Sequence, residues 1–259
     1  MMNRRDFLAL SGTAGAAALT MNSQAASGGV REFYELRQYT VETEAQRKGL
    51  DDFLKNAAIP AANRLGVKPI GVFYPEKDLG PVWVLTPHKS MESYAAFGQR
   101  LAEDSEFLSR GADYINATAG SPAYKRVESW LLLSFAGMPQ METPVKNPGR
   151  VFQLRTYESP SEKTGLKKIE MFNDAGEIRI FREVGLNPVF FGQTLAGGQM
   201  PNLTYMLAFE SLEAQQAAWK KFLAHPDWLR LKGMAEYADK AILCGITNRQ
   251  LVAAPYSQV

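Results

Sequence analysis

Two short segments of the chain carry a cluster of groups able to hold and polarise a ligand. In Tyr34-Glu35-Leu36-Arg37-Gln38-Tyr39 these are Glu35, Arg37 and Tyr39; in Phe152-Gln153-Leu154-Arg155-Thr156-Tyr157 they are Arg155 and Tyr157. Side chains alternate across a strand, so Glu35, Arg37 and Tyr39 share one face, while Tyr34, Leu36 and Gln38 share the other. The second copy sorts identically. A guanidinium and a phenol on one face can bind an anionic or carbonyl-bearing ligand by directed hydrogen bonds. The competing use is structural: each Arg pairs with a carboxylate such as Glu35 or Glu128 and locks an interface, because a buried charge must be paired. The apolar start of the first set suits packing beneath helices, which is expected to send Arg37, Tyr39, Arg155 and Tyr157 into an interior shared by the two segments.

Other reactive residue types are few. His225, before Pro226 and Asp227, reads as an imidazole at a helix start with Trp228 as a packing anchor, the alternative being a general base or axial ligand. His88, between Pro87 and Lys89, is expected at the surface. With two histidines at different landmarks and one cysteine, no metal site is predicted. Cys244 follows Ala241-Ile242-Leu243 and is expected as a small buried thiol. Gly192 to Gly198 lacks the Lys-Ser/Thr of a phosphate loop and reads as a hairpin loop. No serine sits in a G-x-S-x-G setting. Lys167-Lys168 and Lys220-Lys221 read as solvated helix faces.

The elements that position these residues are doubled. Arg155 against Arg37 gives an offset of 118 residues, Pro188 against Pro69 gives 119, and Ser211 against Ser90 gives 121. A slowly drifting offset indicates two related modules with small loop insertions. The boundaries read as a first module at 30–135, a connector at 136–149 with three prolines, and a second module at 150–257. In the first, 33–40 alternates as a strand, and 44–65 has helical spacing bent at Pro60 and closed by Gly66. Strands at 67–74 and 82–86 follow, then a helix from the Ser90 cap, a short helical piece at 107–115, and a strand at 126–135. The second module repeats this with strands near 151–158, 187–193, 203–209 and 246–253 and helices near 163–184, 211–223 and 227–240. The order β-α-β-β-α-β is that of a ferredoxin-like module, whose sheet has helices on one face and needs a partner on the other.

Leu-Arg-x-Tyr on each first strand (Leu36, Arg37, Tyr39; Leu154, Arg155, Tyr157), a helix ending at Gly66 or Gly185, and His225-Pro226-Asp227-Trp228 together resemble NIPSNAP-family modules. The second half fits better, since the first has Asp104-Ser105-Glu106-Phe107 in place of His-Pro-Asp-Trp. The resemblance implies the dimeric α/β-barrel group: an α+β fold in which two tandem ferredoxin-like modules pack sheet to sheet as an intrachain barrel. Relatives in that group include cofactor-independent monooxygenases, haem-handling enzymes, lactone isomerases and proteins of unassigned reaction. Fold likeness alone does not choose among them.

Composition bounds the rest. With 259 residues, 46% hydrophobic and a formal charge of +2, the chain suits a globular protein, and it lacks the basic stripe a nucleic-acid partner needs. Arg4-Arg5 before the modest apolar run Ala9 to Met21, with Ser23-Gln24-Ala25-Ala26 as cleavage context, resembles a twin-arginine export signal over residues 1–25 and points to the periplasm. No later stretch reaches membrane-spanning length. The expectation is an exported protein binding a small molecule or partner in or around a polar barrel interior lined by Glu35, Arg37, Tyr39, Arg155, Tyr157 and His225. The alternatives are a barrel monooxygenase or isomerase and a scaffolding protein. No cofactor is predicted, haem and flavin staying open, and the chain is a monomer with a pseudo-dimeric barrel or a homo-oligomer.

Overall fold

Strand β1 (Phe33–Thr40) lies between β3 (Val82–His88) and β4 (Arg126–Ser134), antiparallel to both. β2 (Gly71–Pro75) takes the other edge of β3, giving the order β4-β1-β3-β2. The second half repeats it. β5 (Val151–Glu158), β6 (Asn187–Ala196), β7 (Asn202–Phe209) and β8 (Gly245–Ala253) are ordered β8-β5-β7-β6. Each set is a ferredoxin-like sheet, and the two are joined at both seams: β2 bonds to β8 and β4 to β6, so eight strands close into one barrel without a free edge. The computed structural model describes residues 29–259. The segment expected to be an export signal, residues 1–25, lies outside them. No helix among the described residues is long and apolar enough to cross a membrane.

The helices lie outside the barrel. In the first module α1 (Glu44–Phe53) starts at Thr43, whose side chain accepts from the Gln46 N–H, and continues through Leu54–Ala58 into α2 (Ile59–Arg64). Pro60 has no N–H to return to the preceding turn. The backbone widens just before it, the Ile59 N–H bonding five residues back to Leu54, and the helix runs on. α3 (Met91–Ala102), α4 (Ser105–Arg110) and α5 (Ala112–Ile115) complete the layer. The second module has α6 (Glu162–Asn173), α7 (Glu177–Val184), α8 (Leu212–Ala224), α9 (Pro226–Lys232) and α10 (Asp239–Ile242). The single helix expected at 163–184 is broken before Gly176, which takes φ 92°. Gly66 and Gly185 end the equivalent helices at φ 77° and 87°, the left-handed closure a glycine permits.

The face assignment of the first strands is opposite to the expectation. Tyr34 and Leu36 point into the barrel with Leu85, Phe152, Leu154 and Met206. Tyr34 meets Phe190 edge to face at 5.2 Å, and Phe73 meets Phe152 at 4.8 Å, so both contacts join the modules through the interior. An eight-stranded barrel is just wide enough for side chains to fill, and here bulky apolar groups fill it. The polar interior expected for Arg37, Tyr39, Arg155 and Tyr157 is therefore an apolar core, and those side chains project outward beneath the helices. The alternation was legible, but both faces of a helix-covered barrel strand are buried, so polarity does not tell inside from outside. Two further expectations reverse. Cys244 is exposed rather than buried, and Lys168 is buried while Lys167 is not.

Candidate functional site

On the outer face of the first sheet, β1 places Glu35, Arg37 and Tyr39 two residues apart. Arg37 Nε donates to Glu35 Oε1 at 2.8 Å and Arg37 Nη1 to the Tyr39 hydroxyl at 3.3 Å. From β4, the Ser129 hydroxyl donates to the same Glu35 oxygen at 2.9 Å. The carboxylate is almost entirely covered, whereas the Arg37 side chain is 42% exposed. A buried carboxylate thus anchors a guanidinium whose remaining N–H groups reach into space.

That space is a cleft of about 340 Å³ between the sheet and the helices. One wall is polar, from Glu35, Arg37, Tyr39 and Thr86. The other is apolar, built by Phe53 and Leu54 before α2, Phe97 and Leu101 of α3, Phe107 of α4 and Tyr114 of α5. Phe53 stacks on Tyr114 at 3.8 Å and meets Phe107 edge-on at 5.7 Å. Burial raises the Tyr114 phenol far above its ordinary range, with Tyr39 adding to the shift, so it stays protonated. The arrangement suits a largely apolar, ring-bearing molecule with a polar end that accepts hydrogen bonds from Arg37. Because Glu35 compensates Arg37, the pair favours a neutral carbonyl or phenol over a second carboxylate.

His88 does not lie at the surface. It is buried at the end of β3, on the same face as Thr86, with Tyr94 and Phe97 edge-on at 5.5 and 5.1 Å and Ser93 Oγ 3.4 Å from Nδ1; Nε2 has no partner among the described residues. Desolvation lowers its pKa, Glu35 raising and Arg37 lowering it less strongly, so the ring is neutral beside the cleft.

The second module presents the same strand register with the space filled. Val84 stands opposite Arg37, and Tyr205 opposite Arg155; Val72 pairs with Val84, and Phe191 with Tyr205. Four residues before the closing glycine the first module has Ala62 and the second Phe181; eight past the N-cap serine they have Gly98 and Trp219. The Tyr205 hydroxyl bonds to that of Tyr157 at 2.8 Å, and the Arg155 guanidinium lies over the Trp219 ring at 4.9 Å and the Tyr157 ring at 5.4 Å. Gln153 replaces Glu35, so Arg155 has no carboxylate partner among the described residues. Deeper in, Lys168 and Glu177 form an ion pair at 3.1 Å with both side chains at most 2% exposed, where Leu50 and Ala58 stand in the first module. Burial raises the Glu177 carboxyl despite Lys168.

The structure therefore brings Glu35, Arg37 and Tyr39 together in one site, puts Arg155 and Tyr157 in another, and keeps His225 out of both. His225 caps α9: Nδ1 accepts from the Asp227 N–H at 3.2 Å, and Nε2 lies 3.4 Å from Glu183. Asp104 does the same work in the first module, accepting from the Phe107 N–H and pairing with Arg64 at 2.8 Å. The two motifs are one helix cap, with an imidazole facing Glu183 in one module and a carboxylate facing Arg64 in the other. Sequence reasoning missed Thr86, Ser129, His88 and the aromatic wall. The available signal was the repeat itself, in which Ala62, Val84 and Gly98 are smaller than their counterparts.

The model of the NIPSNAP family matches residues 152–258. Those residues form a NIPSNAP domain. Among solved structures, the chain is similar to a provisionally assigned monooxygenase from Lactobacillus acidophilus NCFM, at 9% identity and TM-score 0.56, over 86% of this chain and 94% of that one. An anthrone oxidase-like protein matches at 10% identity and TM-score 0.52, over 86% and 92%. A NIPSNAP-like domain protein from Burkholderia xenovorans is 18% identical over 44% of this chain and 92% of its own, at TM-score 0.38. No curated protein matches the chain in sequence. The two long matches are likenesses of fold alone, and they extend over both modules.

The residues present do not fit the cofactors left open by the fold. The cleft lining holds no imidazole, thiolate or thioether for haem iron, and its one cation, Arg37, is tied to Glu35 and unsuited to a flavin diphosphate. No group of three or more His, Cys, Asp or Glu able to hold a metal occurs among the described residues.

Proposed function

We propose that this is an exported small-molecule-binding protein of NIPSNAP type, made of modules at 30–135 and 150–257 joined by a connector, with its ligand site in the first module. The observation that carries the reading is the asymmetry of one architecture used twice: the space beneath the helices is open around Arg37 and packed around Arg155. The ligand is a neutral, mainly apolar molecule with a ring system, its carbonyl or phenol oxygen held by Arg37 and its body against Phe53, Phe97, Phe107 and Tyr114. Size and lining match an ordinary small-ligand cleft, apolar with a few fixed polar groups.

Native mass spectrometry of protein purified from its exported compartment tests this, with 2-naphthol as a defined probe in calorimetry. Arg37→Leu is expected to weaken 2-naphthol binding about tenfold, the loss of a charged hydrogen bond. Unchanged affinity would remove Arg37 from the site. For export, Arg4→Lys with Arg5→Lys in a reporter fusion of the first 30 residues is expected to block translocation, and unaffected export would overturn that part.

A second reading is an enzyme, a barrel monooxygenase or isomerase working in the same cleft. What favours it is the fold shared with the anthrone oxidase-like protein, together with neutral His88, which does not line the cleft but is buried against Phe97, a residue that does, with Nε2 unpartnered among the described residues. Exposed by a shift of the Phe97 ring, an imidazole in that state can take a proton from an acidic phenol or enol. Turnover of a retained ligand that is lost in His88→Phe while binding persists would separate catalysis from binding.

A further inference from the structure

We propose that the second module carries a separate groove for a neutral polyhydroxylated ligand, a saccharide, on the outer face of the barrel between α8 and strands β5 and β8. The groove is shallow and open to solvent, spans about 700 Å³, and is lined by Gln153, Gln215, Gln216, Asn248 and Gln250 together with Trp219, Lys220, Leu223 and Ala224. Five carboxamides converge there for reasons visible in the register. β8 sets Asn248 and Gln250 two residues apart, opposite Arg155 and Gln153 of β5, and the first turns of α8 lower Gln215, Gln216 and Trp219 over them.

Three of these amides are tied into hydrogen bonds. Trp219 Nε1 donates to Gln153 Oε1 at 2.7 Å, and Gln215 Nε2 donates to Gln250 Oε1 at 3.0 Å. Gln250 Nε2 is buried without a partner, and the two remaining amides, Asn248 and Gln216, are exposed and hydrogen-bond to no other described residue. An uncommitted buried donor beside two open amides is a set of hydrogen-bonding groups awaiting a partner.

The chemistry selects the class of ligand. A carboxamide offers a donor and an acceptor with no charge, and each hydroxyl of a vicinal diol does the same, so the two match without a counter-ion. No carboxylate lines the groove, which leaves nothing to pair with a cationic ligand. An extended peptide is not served, because β5 and β8 are each bonded on both sides and offer no edge for strand addition. The groove also belongs to the second module alone. In the first, the positions of Gln153, Gln250 and Trp219 are held by Glu35, Leu131 and Gly98. The inference is thus independent of the ligand proposed for the Arg37 cleft.

Saturation-transfer NMR on the full chain tests it, with cellotriose, maltotriose and N,N′-diacetylchitobiose as probes. At least one probe is expected to receive transfer. Gln216→Ala with Asn248→Ala, both exposed and without protein partners, is expected to weaken that probe about tenfold, and Gln250→Leu is expected to do the same from the floor. Gly98→Trp, which fills the other site, is expected to leave it unchanged. Absence of transfer from all three probes, or transfer indifferent to both sets of variants, overturns the proposal.

Discussion

The two modules share a strand order, a helix order, paired cap serines and a glycine closure, yet one is hollow beneath its helices and the other solid. The difference lies in a few side-chain volumes at fixed positions. Where the first has Ala62, Val84 and Gly98, the second has Phe181, Tyr205 and Trp219, and the aromatic groups occupy what would otherwise be the cleft. Close packing makes such exchanges decisive: a ring fills volume that an alanine leaves open, and a void lined by apolar groups stays available to an apolar ligand. The lesson is a division of labour. One copy of the fold fills the space over Arg155 and keeps only an open groove on its surface, and the other gives up packing to make a recessed cleft.

The buried ion pair should give the largest effect in testing that division. Lys168→Met leaves Glu177 ionisable, buried and alone, and is expected to cost about 3–5 kcal/mol in urea unfolding. Lys168→Leu with Glu177→Ala, which copies Leu50 and Ala58 of the first module, is expected to recover most of that loss. A single-variant effect below about 1 kcal/mol would show that the solid module does not depend on the pair.

Filling the hollow module comes next. A Cβ added at Gly98 meets nothing within 4 Å, so Gly98→Trp can be accommodated and should close the cleft as Trp219 closes its counterpart. Affinity for 2-naphthol is expected to fall at least about tenfold with stability little changed; calorimetry with a thermal melt reads both. Retained binding would place the ligand elsewhere.

A smaller, pH-dependent effect is expected at His88. Its native pKa is depressed by desolvation, so below about pH 6.5 the unfolded chain binds the proton more readily than the native one. The stability that neutral His88 contributes is therefore complete above that pH and is lost as the pH falls towards the lowered native value. His88→Phe, which installs the residue found as Phe209 in the second module, should flatten this part of the stability curve. Parallel curves for the two proteins between pH 7 and 5 would assign the dependence to other groups.

The smallest effect is at the exchanged caps. His225→Ala removes the acceptor for the Asp227 N–H and is expected to cost about 0.5–1 kcal/mol, while His225→Asp, the residue type at Asp104, should retain most of the stability. Ligand binding should not respond to either change, and a response would bring His225 back into the site.

Much of this was legible along the chain. The doubled Leu-Arg-x-Tyr, the drifting offset and the glycine closures fix two β-α-β-β-α-β modules, because turn chemistry, caps and period-2 alternation are local properties. Glu35, Arg37 and Tyr39 could be grouped from alternation alone. The face they occupy could not, since Tyr34 and Leu36 suit a barrel lumen as well as a helix layer, and only closure of β2 on β8 and β4 on β6 decides which is which. His88 looked like a surface residue beside Lys89 until packing put Tyr94 and Phe97 against it. Lys168 looked solvated until Glu177, beyond a helix break, came within 3.1 Å. Local rules set the elements and their sidedness; which cavities stay open, and which charges meet inside, depends on contacts between residues far apart in sequence, and those are set only when the barrel closes.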